Sequence, residues 1–245
     1  MSLEKARLDA LIDNKYYIWQ VDDVLCYTMD SVLAANFLRL RSKARVLELG
    51  AGTGAISLIC AIRGAEQVYG VDIEPRVVEL FSRSIRENKL QERVHACLID
   101  LRDSKALNSL GYFDIVVANP PYRKAASGRY RNEAAGSACH ELSATLEDFV
   151  IAAAKTLKTR GRLVMVNLAE RLTDTISLLV KHNIEPKRLQ MVHSKQDGAA
   201  RLFLIEAIAG AQAGGLDILP PLIVYGADGE YTEQLKAYYR PQDFI

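Results

Sequence analysis

The sequence has no apolar run approaching the roughly 20 residues that a membrane-spanning helix requires. Its opening stretch, MSLEKARLDALIDNK, carries charges throughout and lacks the apolar centre of a secretory signal. Cysteine is scarce and scattered: Cys26, Cys60, Cys97 and Cys139 form no CxxC pair and no group with metal-ligand spacing. A disulfide framework and a bound metal are not expected, and Cys60 and Cys97, inside apolar runs, read as buried thiols. Neither sign of charge is in excess, with 31 Lys and Arg against 30 Asp and Glu. Contact with nucleic acid would therefore rest on a local basic patch rather than on overall charge. These features suit a protein of the reducing cytoplasm, with no membrane and no metal.

What is present is an alternation of strand and helix patterns. The 245 residues give room for one large α/β domain with short extensions. Leu3, Leu8, Leu11 and Ile12 predict an amphipathic helix over 1–15, followed by a short strand at 16–21 and a helix at 30–40 capped by Asp30 or Ser31. Strands are then expected at 45–49, 67–71, 94–99, 113–118 and 162–167. Helices are expected at 55–63, 75–88, 145–157 and 173–182. Strands separated by helices of this length predict right-handed βαβ units and a mostly parallel sheet. Runs 189–193 and 201–207, joined by a short turn, predict an antiparallel hairpin at one sheet edge. The whole is a doubly wound, Rossmann-like sheet of seven strands. Residues 1–40 form an extension and lid, 41–210 the main domain, and 211–245 a tail lying over it.

The first sheet strand runs into Glu48-Leu49-Gly50-Ala51-Gly52-Thr53-Gly54, and a helix follows at once. Glycines there permit a tight turn and close approach to a bound nucleotide. The run fits the dinucleotide pattern G-x-G-x-x-[GA] and equally E-x-G-x-G-x-G, the pattern of S-adenosylmethionine enzymes. Glu48 favours the second, because a pyrophosphate gains nothing from a carboxylate there while a sulfonium or amino group does. Asp72 ends the next strand, where it suits a ribose diol. Asp100 ends the third, where it serves either an adenine amino group or a helix cap or surface turn.

The fourth strand ends in Asn119-Pro120-Pro121-Tyr122. In an open α/β sheet the ligand crevice lies at the carboxyl ends of the strands, so Asn119 belongs with the glycine loop. A planar amino or amide nitrogen has its lone pair delocalised and must pyramidalise to attack a methyl on sulfur. The Asn119 side-chain oxygen and the Pro120 carbonyl are suited to accept its two N–H protons. The prolines hold those acceptors rigid. Tyr122 offers a face on which a planar substrate stacks. The plain alternative is a rigid turn after a strand.

The combination ELGAGTG, VDIE, LIDL and NPPY resembles the amino-methyltransferases of adenine N6 and protein glutamine. More narrowly, almost the whole chain resembles the bacterial tRNA adenine-N6 methyltransferase family, which acts on the adenine beside the anticodon of valine tRNA. Further matching stretches are Tyr27–Leu33, His140-Glu141, Glu185–Arg188, Leu219-Pro220-Pro221 and Tyr231-Thr232. The resemblance implies S-adenosylmethionine as cofactor and tRNA as partner. It implies that Tyr27, Thr28 and Asp30 cover the methionine side of the cofactor. It also implies that Asn119–Tyr122 form the base site, with Asn119 touching the cofactor too. Tyr27-Thr28 stands where the family often has Phe-Ser, keeping an aromatic and a hydroxyl. Cys139 stands where relatives often have Arg.

Residues 123–140 are small, polar and basic, without periodicity, and a long connection of this kind is usually functional or mobile. Arg123, Lys124, Arg129 and Arg131 suit RNA phosphates or a solvated loop. Lys187, Arg188 and Lys195 offer a second patch of the same ambiguity. Other substrates of an NPPY enzyme remain open, namely ribosomal RNA, DNA or a protein glutamine. A nicotinamide oxidoreductase built on the glycine loop and Asp72 is the distant alternative and leaves NPPY unexplained.

Overall fold

The computed structural model describes residues 6–22, 26–121 and 144–240. Tyr122, Arg123, Lys124, Arg129, Arg131 and the His140-Glu141 pair lie outside them. The chain opens with strands β1 (Arg7–Ile12) and β2 (Tyr16–Gln20), which pair antiparallel as a separate hairpin. Helix α1 (Met29–Phe37) follows, and then β3 (Arg45–Leu49), α2 (Ala55–Ile62), β4 (Gln67–Asp72), α3 (Pro75–Glu87) and β5 (Val94–Leu98). Next come α4 (Ser104–Ser109), β6 (Phe113–Ala118), α5 (Leu146–Thr156), β7 (Leu157–Leu168) and α6 (Leu172–Lys181). The chain continues through β8 (Ile184–His193), β9 (Ala200–Ala209), β10 (Asp217–Ile223) and α7 (Glu233–Ala237).

The large sheet has the order β10-β8-β9-β7-β6-β3-β4-β5. Strands β5, β4, β3, β6 and β7 are parallel, and β9 runs antiparallel between β7 and β8. From β3 the chain winds outward through β4 and β5, then returns to place β6 on the other side. That reversal makes the β3–β6 boundary the switch point where a crevice opens. Both sheet faces are covered, which is why the parallel strands read as unbroken apolar runs. Val46, Ile115, Val117, Val164 and Val166 face one buried layer with α1, α2 and α3. Leu47, Leu49, Val116, Leu163 and Met165 face the other, with α5 and α6.

Four differences from the sequence reading have physical causes. The expected helix over 1–15 is the β1–β2 hairpin. Asp13 and Asn14 both take φ of 49°, the left-handed pair that a tight hairpin turn demands and that Asp and Asn tolerate best. The hairpin is then held on α3: Tyr17 donates its N–H to Asn88 Oδ1 at 2.9 Å, and Trp19 donates to Ser84 Oγ at 2.8 Å. Helix α1 begins one residue before Asp30, so its cap is Thr28 rather than Asp30 or Ser31. Helix α4 was not foreseen, since six residues are too few to show a period; Asp103 caps it through the Lys105 and Ala106 N–H groups.

Finally, the sheet has an eighth strand. The β8–β9 hairpin is antiparallel as expected, but the tail returns as β10 and covers its outer side. Pro220 and Pro221 sit in an irregularity of the β10–β8 pairing, between Leu219 and Leu222, where missing N–H groups do no harm on an edge strand.

Candidate functional site

The glycine loop leaves β3 with a left-handed backbone at three points, φ being 66° at Gly50, 53° at Gly52 and 86° at Gly54. The loop is held from both sides. Ala51 N–H donates to the Val71 carbonyl at 2.9 Å, and Gly52 N–H donates to Asp72 Oδ2 at 2.8 Å. Phe149 of α5 lies so close beneath Gly50 that a Cβ there would sit 3.2 Å from its ring. Phe81 of α3 stands against Gly54 in the same way, and more tightly. Around Gly52 the space is open: a Cβ would meet nothing within 4 Å. That face of the loop is open. The two phenylalanines were missed by sequence reasoning, because helical apolar residues give no sign of which loop they will support.

The carboxylates of the motif do three different things. Asp72 accepts from Gly52 N–H through one oxygen and from Glu74 N–H at 3.0 Å through the other. Each oxygen keeps a second acceptor position, and the side chain is half-exposed. Asp100 is gripped by its neighbour Arg102, whose Nη2 lies 2.6 Å from Oδ2 and whose backbone N–H donates to Oδ1 at 2.9 Å. The Arg102 hydrogen bonds hold the Asp100 carboxyl below its ordinary range. Asp100 is therefore an anionic acceptor that is already partly engaged. Helix capping, the alternative, falls to Asp103.

Glu48 turns toward α2 and is only 3% exposed. Its Oε2 accepts from Ser57 N–H at 2.8 Å and from Ser57 Oγ at 2.5 Å. The contacts it makes tie the start of α2 to β3 and so support the loop from behind. Burial pushes its carboxyl up to about 8, with the nearby Asp72 charge acting in the same direction. In the unfolded chain the group titrates near 4.5. Between these values the folded protein binds the additional proton, so stability falls as pH rises through the window. The melting temperature is expected to decline from about pH 5 to about pH 8 for this reason, and Glu48→Gln, which keeps an acceptor for Ser57, is expected to flatten that decline. An unchanged slope in the variant, read by calorimetry across the range, would rule the account out.

Asn119 follows directly from β6. Ala118 pairs with Leu49 across the β3–β6 ladder, so Asn119 comes out of the sheet alongside Gly50. It is half-buried, and Pro120 behind it is buried. Among the described residues, the Asn119 side chain has no hydrogen-bond partner. An amide in a crevice with no internal partner is available to a ligand. Tyr27 reaches back to the hairpin, its N–H donating to Gln20 Oε1 at 2.8 Å and its hydroxyl to the Ala10 carbonyl at 3.0 Å. It leads through Thr28 into Asp30 and the first turn of α1, which packs on α2.

The second basic patch does not form. Arg188 is buried at 9% exposure, paired with Glu206 Oε2 at 3.1 Å and stacked 4.3 Å from the centroid of Phe37. Lys187 is directed at the Gln212 and Gly214 carbonyls, leaving Lys195 alone at the surface. Arg188 faces inward because it stands opposite Glu206 in the β8–β9 register. Cys97 is half-buried rather than buried, since β5 is an edge strand, while Cys60 is fully enclosed. Among the described residues no group of three or more His, Cys, Asp or Glu is placed to hold a metal ion, and no helix is long and apolar enough to cross a membrane.

A glycine cradle, a strand-end aspartate and an Asn-Pro turn at the switch point of a doubly wound sheet define a nucleotide-type cofactor enzyme of the Rossmann-like class. Residues 28–184 match the methyltransferase small domain family, and the chain belongs to it. That membership decides between the two readings of the glycine loop in favour of methyl transfer. The tRNA1(Val) (adenine(37)-N6)-methyltransferase of Porphyromonas gingivalis is 28% identical over 197 residues, covering 77% of this chain and 75% of its own. The enzyme of that name from Actinobacillus pleuropneumoniae is 25% identical over 211 residues, covering 84% and 85%. Among solved structures, a predicted O-methyltransferase of Agrobacterium tumefaciens superposes with a TM-score of 0.70 at 22% identity, over 86% of this chain and 97% of its own. At that identity the likeness is one of fold.

Proposed function

We propose that this methyltransferase carries a methyl group from S-adenosylmethionine to the exocyclic N6 of an adenine in tRNA, beside the anticodon. The observation that carries the reading is the Asn119 side chain, which has no hydrogen-bond partner among the described residues, emerging next to Gly50, with Pro120 buried behind it. The residues present fit the cofactor. The open face at Gly52 admits a nucleoside, Asp72 retains acceptor positions for a ribose diol, and Asp100 is an anionic acceptor for an adenine amino group. Tyr27, Thr28 and Asp30 close the methionine side. The cofactor supplies an electrophilic methyl on a sulfonium.

The chain's own part is positional. The Asn119 oxygen and the Pro120 carbonyl accept the two N6 protons from outside the base plane and so favour a pyramidal, nucleophilic nitrogen. Asn119 and Pro120 would in this way hold the nitrogen toward the methyl group that the bound cofactor supplies. On taking that methyl group the nitrogen would release one N6 proton to water, so the chain needs no strong general base. Tyr122 and the cations Arg123, Lys124, Arg129 and Arg131 are assigned the stacked base and the phosphates on sequence grounds.

The test is transfer of a labelled methyl group to unmodified total tRNA and, separately, to a protein extract. Label recovered as N6-methyladenosine from digested tRNA is the expected result. Label in glutamine of a protein, with none in tRNA, would overturn the substrate and leave the amide-nitrogen chemistry standing, since a glutamine amide presents the same planar NH2.

A further inference from the structure

An open cleft of about 550 Å³ lies between the N-terminal hairpin and the tail. One wall is the end of β1 and its turn, Ala10 to Asn14, with Tyr27. The other is Tyr231, Lys236, Tyr239 and Arg240.

The lining combines aromatic faces with positive charge. Tyr231 lies against Tyr225 with ring centroids 5.2 Å apart, and both stay more than a third exposed, at 38% and 36%. Burial raises the Tyr239 hydroxyl above its ordinary range, and the neighbouring Tyr231, Tyr27, Asp30 and Tyr225 add to it. The tyrosines of the hairpin side and of the tail therefore converge on one space. Among the described residues, Lys236 and Arg240 share one carboxylate, Glu233, at 3.0 and 3.5 Å. Asp13 of the opposite wall is itself faced by Lys15 at 3.3 Å. Aromatic faces beside cations are the chemistry that receives a splayed nucleotide, base on ring and phosphate on cation.

The cleft borders the stretch assigned above to the methionine side of the cofactor. Tyr27 belongs to its wall and leads directly into the Thr28–Asp30 stretch, and Asp30 lies near enough to Tyr239 to act on its hydroxyl. We infer that this cleft holds a second nucleotide of the RNA substrate, close in sequence to the target adenine, with its base against Tyr231 and its phosphate at Lys236 and Arg240. The inference rests on the RNA reading above and gives the tail a recognition role beyond completing the sheet.

Two variants of the full chain test it, Tyr231→Ala and Lys236→Gln, assayed with an unmodified tRNA transcript. Tyr231→Ala is expected to raise KM for tRNA about tenfold, the loss of one stacked base, with kcat and S-adenosylmethionine affinity unchanged. Tyr231→Phe is expected to restore it. Lys236→Gln is expected to lower the slope of log affinity against log salt by about one phosphate contact. Ultraviolet cross-linking of the wild type to the transcript is expected to mark the peptide holding Tyr225 and Tyr231. If the wild type methylates tRNA while both variants keep its KM and salt slope, the cleft is not an RNA site and the proposal alone falls. If the wild type methylates no RNA, the substrate reading falls and takes this one with it. A variant that loses melting temperature and kcat together shows a packing role and counts against the proposal.

Discussion

Asn119→Ala is expected to lower kcat for methyl transfer about 10²–10³-fold, the usual loss when one preorganised polar group is removed from a reacting centre. Affinity for S-adenosylmethionine, measured by titration calorimetry, is expected to stay within about twofold of wild type. The asymmetry follows from placement. The proposed cradle at Gly52 and the proposed acceptors at Asp72 and Asp100 lie at the ends of β3, β4 and β5, on the far side of the switch point from β6. Removing the amide beyond Ala118 leaves them in place. Stability is expected to change little, because no described residue depends on the Asn119 side chain for a hydrogen bond. Asn119→Asp separates geometry from charge: it keeps an acceptor of the same reach, and activity well above the alanine variant would show that accepting the N6 proton is what matters. An alanine variant with unchanged kcat would remove Asn119 from the mechanism.

The parallel half of the sheet was legible because both of its faces are buried. Each strand is then a short β-branched run between turns, and each helix an amphipathic period between strands. The positions of the glycine loop and of Asn119 followed from that order alone, since strand ends in such a sheet share one crevice. What was not legible depends on contacts distant in sequence. The apolar spacing of Leu8, Leu11 and Ile12 suits a helix locally. The Asp13-Asn14 turn and the seat on Ser84 of α3 and on Asn88 just past its end make it a hairpin. Arg188 reads as a surface cation until the register sets it opposite Glu206. Glu48 reads as part of the loop's lining until Ser57, nine residues on, is seen to receive it. In each case a polar residue's direction was decided by a partner that no local pattern names.

Gly54→Ala is expected to destabilise the fold by about 2–5 kcal/mol, made up of about 1–2 for a left-handed alanine and about 1–3 for overpacking. The residue has φ of 86°, and an added Cβ would lie 2.0 Å from Phe81 Cδ2 and 2.2 Å from Cε2. The ring has no room to retreat. Its far edge already lies 2.5 Å from the place a Cβ would take on Gly70 of β4, so it fills a slot bounded by two glycines. Gly54 also precedes α2 and accepts the Leu58 N–H at 2.9 Å, so a shift there moves the helix that Glu48 anchors. Gly52→Ala is the contrasting variant. Its φ is 53° and nothing lies within 4 Å of the new Cβ, so only the backbone contribution of about 1–2 kcal/mol is expected. The methyl would instead project into the cradle, and S-adenosylmethionine affinity is expected to fall at least tenfold, the equivalent of about 1.4 kcal/mol. Denaturant unfolding and cofactor titration of the two variants thus separate a glycine required by packing from one required by a ligand. If Gly52→Ala bound the cofactor as well as wild type, the cradle would lie elsewhere on the crevice.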